Sequence, residues 1–217
     1  MAFSKYKLIV WDWNGTLYDD RDISLMTVNY ILDKRGMPPI TLEQYYSYVD
    51  TPITRFYEHL FDMSKVSFDE IGKDYYYAYG KYSESLTVSP EIAQLLSDLH
   101  RAGCVQKLVS GYEHGHLCDF VKTSGLDACF THINGADNRR AESKHDRIEA
   151  AVSGSGFDKS ECVIIGDTEH EYQIASSLGV PCILVGWGHR PGEELIKCKC
   201  GYAGTVSELY GLLFENG

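Results

Sequence analysis

The chain has 217 residues, of which 31 are acidic and 20 are basic, and its formal net charge is −11. This acidic balance disfavours non-specific binding to nucleic acids and anionic membranes, although a local site can still bind an anionic small molecule. Seven scattered cysteines favour reduced thiols, and the spacing of Cys198 and Cys200 does not match a zinc motif. Because no stretch has the roughly 18 apolar residues of a membrane span or the pattern of a signal peptide, we expect a cytoplasmic protein.

Short strand-like segments alternate with helical patterns along most of the chain. The strand-like segments are 7–12, 106–110, 130–134, 162–167 and 181–186. The helical patterns between them are 90–101, 116–124, 144–152 and 169–178, and Ser89 is a good N-cap for the first of these. This alternation predicts an α/β fold, a Rossmann-like three-layer α/β/α core with a parallel sheet. In such folds the functional site lies beyond the carboxyl ends of the strands.

The segment 18–86 interrupts this alternation directly after the first strand. Its apolar residues follow a helical spacing near the start, a second helix is predicted to begin at Thr41, and Ser67 with Glu70 forms a capping box for a third. We therefore predict a small helical cap domain at 18–86, inserted into a core domain formed by 1–17 and 87–217. Such a cap can close over a substrate and exclude water.

Polar residues follow the first two predicted strands. Asp12 ends the first strand, Gly15 permits a tight turn close to a ligand, and the Thr16 hydroxyl can hydrogen-bond the Asp12 carboxylate. Ser110 ends the second strand, with Gly111 behind it, and its hydroxyl can bind a phosphate oxygen. An aspartate in the position of Asp12 can attack phosphorus and divide one difficult displacement into two easier ones.

Charged residues follow the next two strands. Lys144 begins the helix after the third strand, where its ammonium and the helix N-terminus together favour an anion. Asp167 ends the fourth strand, and Glu171 lies four residues later on the next helical turn. With Asp12, these carboxylates supply the hard oxygen ligands that Mg²⁺ prefers, so we predict magnesium-dependent phosphoryl transfer through Asp12.

The motifs resemble, in this order, the four motifs of the haloacid dehalogenase superfamily: Asp12-Trp13-Asn14-Gly15-Thr16, Ser110, Lys144, and Gly166-Asp167-Thr168 with Glu171. The insert resembles that superfamily's helical cap of the phosphoglycolate phosphatase type. The resemblance extends from Lys7 to about Val206 and implies a phosphatase acting on a small organic phosphomonoester such as phosphoglycolate. The resemblance implies that Asp12 is the nucleophile and a metal ligand, and that Asn14 binds the metal through its backbone carbonyl. It implies that Thr16 and Ser110 contact the phosphate and that the charge of Lys144 holds it. Asp167 would be a further metal ligand, and Glu171 would complete the acidic cluster.

Asn14 departs from the pattern of the phosphatases, which usually have an aspartate there as the general acid and base. An amide cannot transfer a proton, and losing such a group typically slows catalysis by about 10²- to 10⁴-fold. Two alternatives therefore stay open. One is a phosphotransferase or phosphonatase-type enzyme of the same superfamily, and the other is a non-hydrolytic homologue that only binds a phosphate.

Several further residues are candidates for supporting roles. Glu113, His114, His116 and His170 lie close in sequence to the motif residues, and one of them could replace the missing acid, although most are expected to be solvated. Arg55, in the predicted cap, could bind a substrate carboxylate or phosphate with two hydrogen bonds, or it could be an ordinary surface arginine.

Overall fold

The computed structural model describes residues 4–136 and 144–214, so the outer ends of the predicted core domain and residues 137–143 lie outside it. The first elements are β1 (Leu8–Trp11), α1 (Arg21–Asp33), α2 (Leu42–Tyr48), α3 (Ile53–Glu58), α4 (Phe68–Tyr82), α5 (Pro90–Arg101), β2 (Val105–Glu113), α6 (His114–Thr123) and β3 (His132–Ala136). They are followed by α7 (Lys144–Ser153), β4 (Cys162–Gly166), α8 (Glu169–Leu178), β5 (Cys182–Val185), α9 (Gly192–Leu195), β6 (Gly201–Ala203) and α10 (Val206–Leu213).

The six strands form one parallel sheet in the order β3-β2-β1-β4-β5-β6. The chain adds β2 and β3 on one side of β1 and then returns to add β4, β5 and β6 on the other side. A crevice forms beyond the carboxyl ends of the strands where the direction of winding reverses, here between β1 and β4. Asp12 and Asp167 directly follow these two strands, so the topology places them at the same crevice. The predicted fold class is confirmed.

The side chains of β1 alternate between the two faces of the sheet and pack against helices on both. Leu8 belongs to a buried cluster that includes Ile148 of α7 and residues of α8. Trp11 lies on the opposite face, where its indole N–H donates to Gln106 Oε1 at 3.1 Å, and Gln106 Nε2 donates to the Leu96 carbonyl of α5 at 2.9 Å. Burial on both faces explains why β1 is an unbroken apolar run.

The chain divides into two compact units, of which the smaller is Asp20–Thr87 and the larger contains the residues before and after it. The smaller unit contains α1 to α4. The helix start predicted at Thr41 and the capping box predicted for Ser67 with Glu70 are both present, and Thr41 also forms a capping box of its own with Gln44. The six-residue α3 was not predicted. The core of the smaller unit is formed by Val28, Ile31, Leu32, Tyr45, Phe56, Tyr57, Phe61 and Ile71.

The structure differs from the predicted elements mainly at strand ends. β2 does not end at Ser110 but continues to Glu113, because its pairing with β3 is irregular after Val109 and resumes at Glu113 with Ala136. β3 begins later than predicted, since a 3-10 turn at Asp127–Cys129 precedes it. β6 was missed because it is a three-residue edge strand without an apolar run. In the described part of the chain, no helix is both long and apolar enough to cross a membrane.

Candidate active site

The Lys144 side chain, at the start of α7, lies between two carboxylates. Its Nζ is 2.8 Å from Asp12 Oδ1 and 2.7 Å from Glu171 Oε1, and none of the three side chains is more than 10% exposed. Burial by itself would lower the pKa of Lys144, but the two carboxylates outweigh it and hold that pKa above its ordinary range. Lys144 therefore stays a charged ammonium in direct contact with the predicted nucleophile.

Asp167 completes the group of buried acids. Burial, together with the charges of Asp12 and Glu171, raises the pKa of Asp167 to about 7, although His189 opposes the shift. Burial also raises the pKa of Asp12, opposed chiefly by Lys144. The site thus holds negative charge that its own residues compensate only in part.

The three carboxylates fit a divalent cation. Asp12, Asp167 and Glu171 each offer one oxygen, and these oxygens lie within 4.8 Å of one another. Hard anionic oxygens are the ligands that Mg²⁺ prefers. One ammonium faces three carboxylates, so a divalent cation would neutralise the remaining charge. The donor set is therefore suitable for Mg²⁺.

Two glycines allow the backbone to approach the Asp167 carboxylate closely. A Cβ atom at Gly15 would lie 2.1 Å from Asp167 Oδ2, and one at Gly188 would lie 2.2 Å from the same oxygen. Gly15 also has a φ of +70°, which disfavours other residues. The His189 N–H donates to Asp167 Oδ2 at 2.7 Å. Close backbone packing therefore fixes the orientation of this carboxylate.

The two predicted hydroxyl contacts have different surroundings. Thr16 was expected to hydrogen-bond Asp12, but its hydroxyl donates instead to Asp167 Oδ1 in a long bond of 3.4 Å. Ser110 is buried, and its Oγ accepts the Tyr112 N–H at 3.0 Å, which leaves the hydroxyl proton for another acceptor. Gly111 follows within β2, beyond the last regular pairing of Val109 with β3.

Both carboxylate oxygens of Glu171 are bound by protein donors. Oε1 accepts from Lys144, while Oε2 accepts from the Thr168 hydroxyl at 2.6 Å and the Thr168 N–H at 3.2 Å, which completes the capping box of α8. Despite burial, Lys144 and Thr168 hold the pKa of Glu171 below its ordinary value. A Cβ at Gly166 would overlap Glu171 Cγ, so this position also requires glycine. Glu171 is thus oriented to hold Lys144.

The four residues that could replace the acid missing at position 14 lie in different environments. Glu113 caps α6 by accepting the His116 N–H at 2.9 Å, and its Oε2 lies 3.2 Å from His116 Nδ1. His114 Nδ1 accepts the Gly135 N–H at 3.2 Å. His170 is partly buried, which lowers the pKa of its imidazole. The contacts of Glu113, His114 and His116 support α6 and β3, and none of these contacts joins them to Asp12.

Arg55 belongs to the smaller unit. It lies in α3, its side chain is 58% exposed, and its Nη1 is 3.6 Å from Asp50 Oδ2. Such an exposed pair contributes little to stability. The substrate contact predicted for Arg55 stays a prediction.

The loop between β5 and α9 contributes contacts to the site beyond those predicted from the sequence. Besides the His189 N–H, the Trp187 indole N–H donates to the Thr16 carbonyl at 3.0 Å and so joins this loop to the predicted nucleophile loop. The signal was present in the sequence as Gly186-Trp187-Gly188 directly after a buried strand. Glycines at the carboxyl end of a parallel strand indicate a close approach to the site.

Known proteins resemble the chain over most of its length. The model of the haloacid dehalogenase-like hydrolase family matches residues 9–185. A phosphoglycolate phosphatase from Xanthomonas campestris pv. campestris is 26% identical over 197 residues, which cover 87% of this chain and 86% of the relative. A 5′-nucleotidase from Pseudomonas aeruginosa is 26% identical over 204 residues and 89% of each chain.

A solved structure shows the same fold. A haloacid dehalogenase-like hydrolase from Streptococcus pneumoniae aligns with a TM-score of 0.75 at 20% identity, over 94% of this chain and 97% of its own. The region that matches the family model contains Asp12, Ser110, Lys144 and Asp167. The chain therefore belongs to the haloacid dehalogenase-like hydrolase family.

Proposed function

We propose that the protein is a Mg²⁺-dependent phosphatase that hydrolyses a small organic phosphomonoester, similar to phosphoglycolate, through a phosphorylated Asp12. The observation that carries the proposal is the buried Lys144 ammonium, which bridges Asp12 and Glu171 beside Asp167. The phosphoglycolate phosphatase among the relatives supports the substrate class. A small metabolite as substrate also agrees with the predictions of a cytoplasmic location and no nucleic-acid partner.

In the first step, a carboxylate oxygen of Asp12 attacks phosphorus. The P–O bond to the organic group breaks, the leaving oxygen takes a proton from a solvent water and departs as the alcohol, and Asp12 becomes an acyl phosphate. The Lys144 ammonium, held 2.8 Å from Asp12 Oδ1, stabilises the negative charge of the phosphoryl oxygens throughout. In the second step, water attacks the phosphorus and loses a proton to solvent, the P–O bond to Asp12 breaks, inorganic phosphate leaves and the Asp12 carboxylate is regenerated.

The other site residues position the phosphoryl group. Mg²⁺, bound by Asp12, Asp167 and the Asn14 carbonyl, would neutralise phosphoryl oxygens and let an anionic nucleophile approach. The Ser110 hydroxyl proton, which no described acceptor takes, binds a phosphoryl oxygen with the neighbouring Gly111. Thr16 contributes through its bond to Asp167. Glu171, predicted from the sequence as a further carboxylate for the metal, instead keeps Lys144 in place, because both of its oxygens are already bound by protein donors. Its negative charge still favours a cation beside Asp12 and Asp167.

The Asn14 amide favours a second candidate function. Both steps above include a proton transfer that an amide cannot perform, and Glu113, His114 and His116 have structural contacts elsewhere. With slow hydrolysis, the phosphoryl group on Asp12 persists long enough to pass to an acceptor other than water. A phosphotransferase is therefore the second candidate, and a phosphate-binding homologue without turnover is the third.

A substrate panel with and without Mg²⁺ tests the proposal. Phosphoglycolate, nucleoside monophosphates and sugar phosphates are incubated with wild type and with Asp12→Asn, and released phosphate is measured. We expect magnesium-dependent release by wild type on at least one small monoester and none by the variant. Equal unfolding temperatures of the two proteins show that the variant is folded. Absence of turnover on every substrate by a folded, magnesium-bound wild type contradicts the proposal.

A further inference from the structure

Cys182 is the first residue of β5, and Cys200 directly precedes β6. The parallel strands β5 and β6 pair Ile183 with Gly201, so one step earlier in the same register places Cys182 beside Cys200. Neighbouring strands lie about 4.8 Å apart, and residues in register point to the same face. This spacing falls within the roughly 4.4–6.8 Å that separates the Cα atoms of disulfide-bonded cysteines.

The two thiols interact in the reduced protein and have different environments. The interaction between the two sulfurs raises the pKa of Cys182, which burial raises further, and lowers that of Cys200. Cys182 is buried and only 8% exposed, whereas Cys200 is partly exposed at the end of the segment before β6. Cys200 is thus the thiol that ionises more readily and that a small reagent can reach, and reactive cysteines share these two properties.

We propose that Cys182 and Cys200 are an oxidisable pair that forms an intramolecular disulfide with hydrogen peroxide. The Cys200 thiolate attacks one peroxide oxygen, the O–O bond breaks, and the second oxygen leaves as hydroxide, which takes up a proton to become water. Cys200 is then a sulfenic acid. The Cys182 sulfur, losing its proton, attacks the Cys200 sulfur, the S–O bond breaks and a second water leaves. Two thiols lose two electrons, and one peroxide becomes two waters.

The test counts free thiols by mass. Reduced wild-type protein, freed of reductant, is treated with a small molar excess of hydrogen peroxide, unfolded in an alkylating reagent and weighed intact. The untreated protein has seven cysteines to alkylate. We expect the treated protein to take up two fewer alkyl groups. Trypsin cleaves after Lys197 and Lys199, which separates Cys198 from Cys200. Cys162 and Cys182 share one tryptic peptide, so fragment-ion spectra of the cross-linked peptide identify which of them is bound to Cys200.

Variants provide the controls. Cys198→Ser, two residues from Cys200, should keep the cross-link, whereas Cys200→Ser should lose it. In Cys182→Ser, a sulfenic acid should persist at Cys200 and react with a sulfenic-acid probe. The wild-type mass result decides the question even if a variant does not fold. Seven alkylatable thiols after peroxide treatment, or a cross-link joining any other pair of cysteines, overturns the proposal.

Discussion

The amide of Asn14 lies two residues beyond Asp12, where a carboxyl group would donate a proton to the leaving oxygen and accept one from water. We expect Asn14→Asp to raise steady-state phosphate release by about 10²-fold, the lower end of what general acid–base catalysis contributes. We also expect a smaller fraction of the variant than of the wild-type protein to carry a phosphoryl group during turnover. Phosphate release and intact mass after mixing with substrate measure the two effects.

Asn14→Ala is the matched control for this substitution, because it removes the amide without adding a proton donor. Its turnover should not exceed that of wild type. If Asn14→Asp is no faster than wild type, another group supplies the proton and the role assigned to position 14 is wrong.

Lys144 is the residue whose loss should affect both stability and activity. Lys144→Met leaves Asp12 and Glu171 buried without their shared cation, and breaking a buried ion pair in this way costs about 3–5 kcal/mol. Adding Glu171→Gln removes one uncompensated charge, so the double variant should recover part of the lost free energy of unfolding. Turnover should stay abolished in both, because the ammonium that faces the phosphoryl group is absent. Denaturant unfolding and phosphate release measure the two properties.

Lys107 offers a comparison outside the site. Its Nζ donates to the Ala151 carbonyl at 2.7 Å, a bond to a neutral acceptor. Lys107→Met should cost about 1.5–3 kcal/mol, the usual net value of a hydrogen bond that involves a charged group, and leave turnover unchanged. Equal losses of stability in Lys107→Met and Lys144→Met would contradict the importance assigned to the bridge.

At the scale of elements, α8 and α10 begin with the same capping box but differ in their neighbours. Thr168 pairs with Glu171 in α8, and Thr205 pairs with Glu208 in α10. Replacing either threonine by alanine should lower the free energy of unfolding by about 1 kcal/mol, the usual cost of an N-cap. Only Thr168→Ala should also lower kcat, because Thr168 holds the Glu171 oxygen opposite the one that binds Lys144.

Thr205→Ala therefore serves as the control for a purely structural effect. Unfolding midpoints and steady-state kinetics of the two variants separate the contributions. If both variants keep wild-type kcat, the capping box of α8 has no part in positioning Lys144.

The elements that the sequence predicts best are those with strong end signals. The bounds of α5 agree with the prediction because Ser89 caps it and Pro90 opens it, and those of α8 agree because Gly179 ends it with a φ of +68°. β2 was predicted too short because its last residues are held by pairing with β3, which local sequence does not encode. The three-residue β6 is likewise defined by its neighbour β5.

The site was predictable where its residues lie at or shortly after the carboxyl ends of strands. Asp12, Lys144, Asp167 and Glu171 are brought together as expected, since parallel strands end at one edge. The Asp167 contact of Thr16 and the contribution of His189 were not predictable, because both depend on how the β5–α9 loop folds back. That packing is a tertiary property without a local signature beyond glycine.

At the scale of the whole molecule, a protein with a net charge of −11 is proposed to bind an anionic substrate. The buried acids add to that repulsion, and Lys144 compensates only part of their charge. Long-range attraction therefore cannot concentrate the substrate, and binding depends on the local ammonium and on a cation held by the acids. The site should bind phosphate weakly without a divalent cation.

Magnesium binding should depend on pH through Asp167. In the metal-free protein the pKa of Asp167 is about 7, above the value of roughly 3.9 in an unfolded chain. Its protonated form thus stabilises the metal-free fold at low pH, and this contribution is lost as the pH rises through 7. Magnesium binds the ionised carboxylate, so well below pH 7 its binding must release the proton of Asp167. The affinity for magnesium should therefore rise with pH in this range, by at most about tenfold per pH unit.

We therefore expect Mg²⁺ to raise the unfolding temperature more at pH 8 than at pH 6, because a ligand that binds the folded state stabilises it by an amount that increases with the logarithm of its affinity. Thermal unfolding with and without Mg²⁺ at both values measures the difference. Asp167→Asn should lose most of the magnesium effect and its pH dependence, whereas Asp146→Asn, at a carboxylate that is 80% exposed, should keep both. A magnesium effect that is equal at the two pH values, or larger at pH 6, would show that Asp167 is not the group whose ionisation governs metal binding.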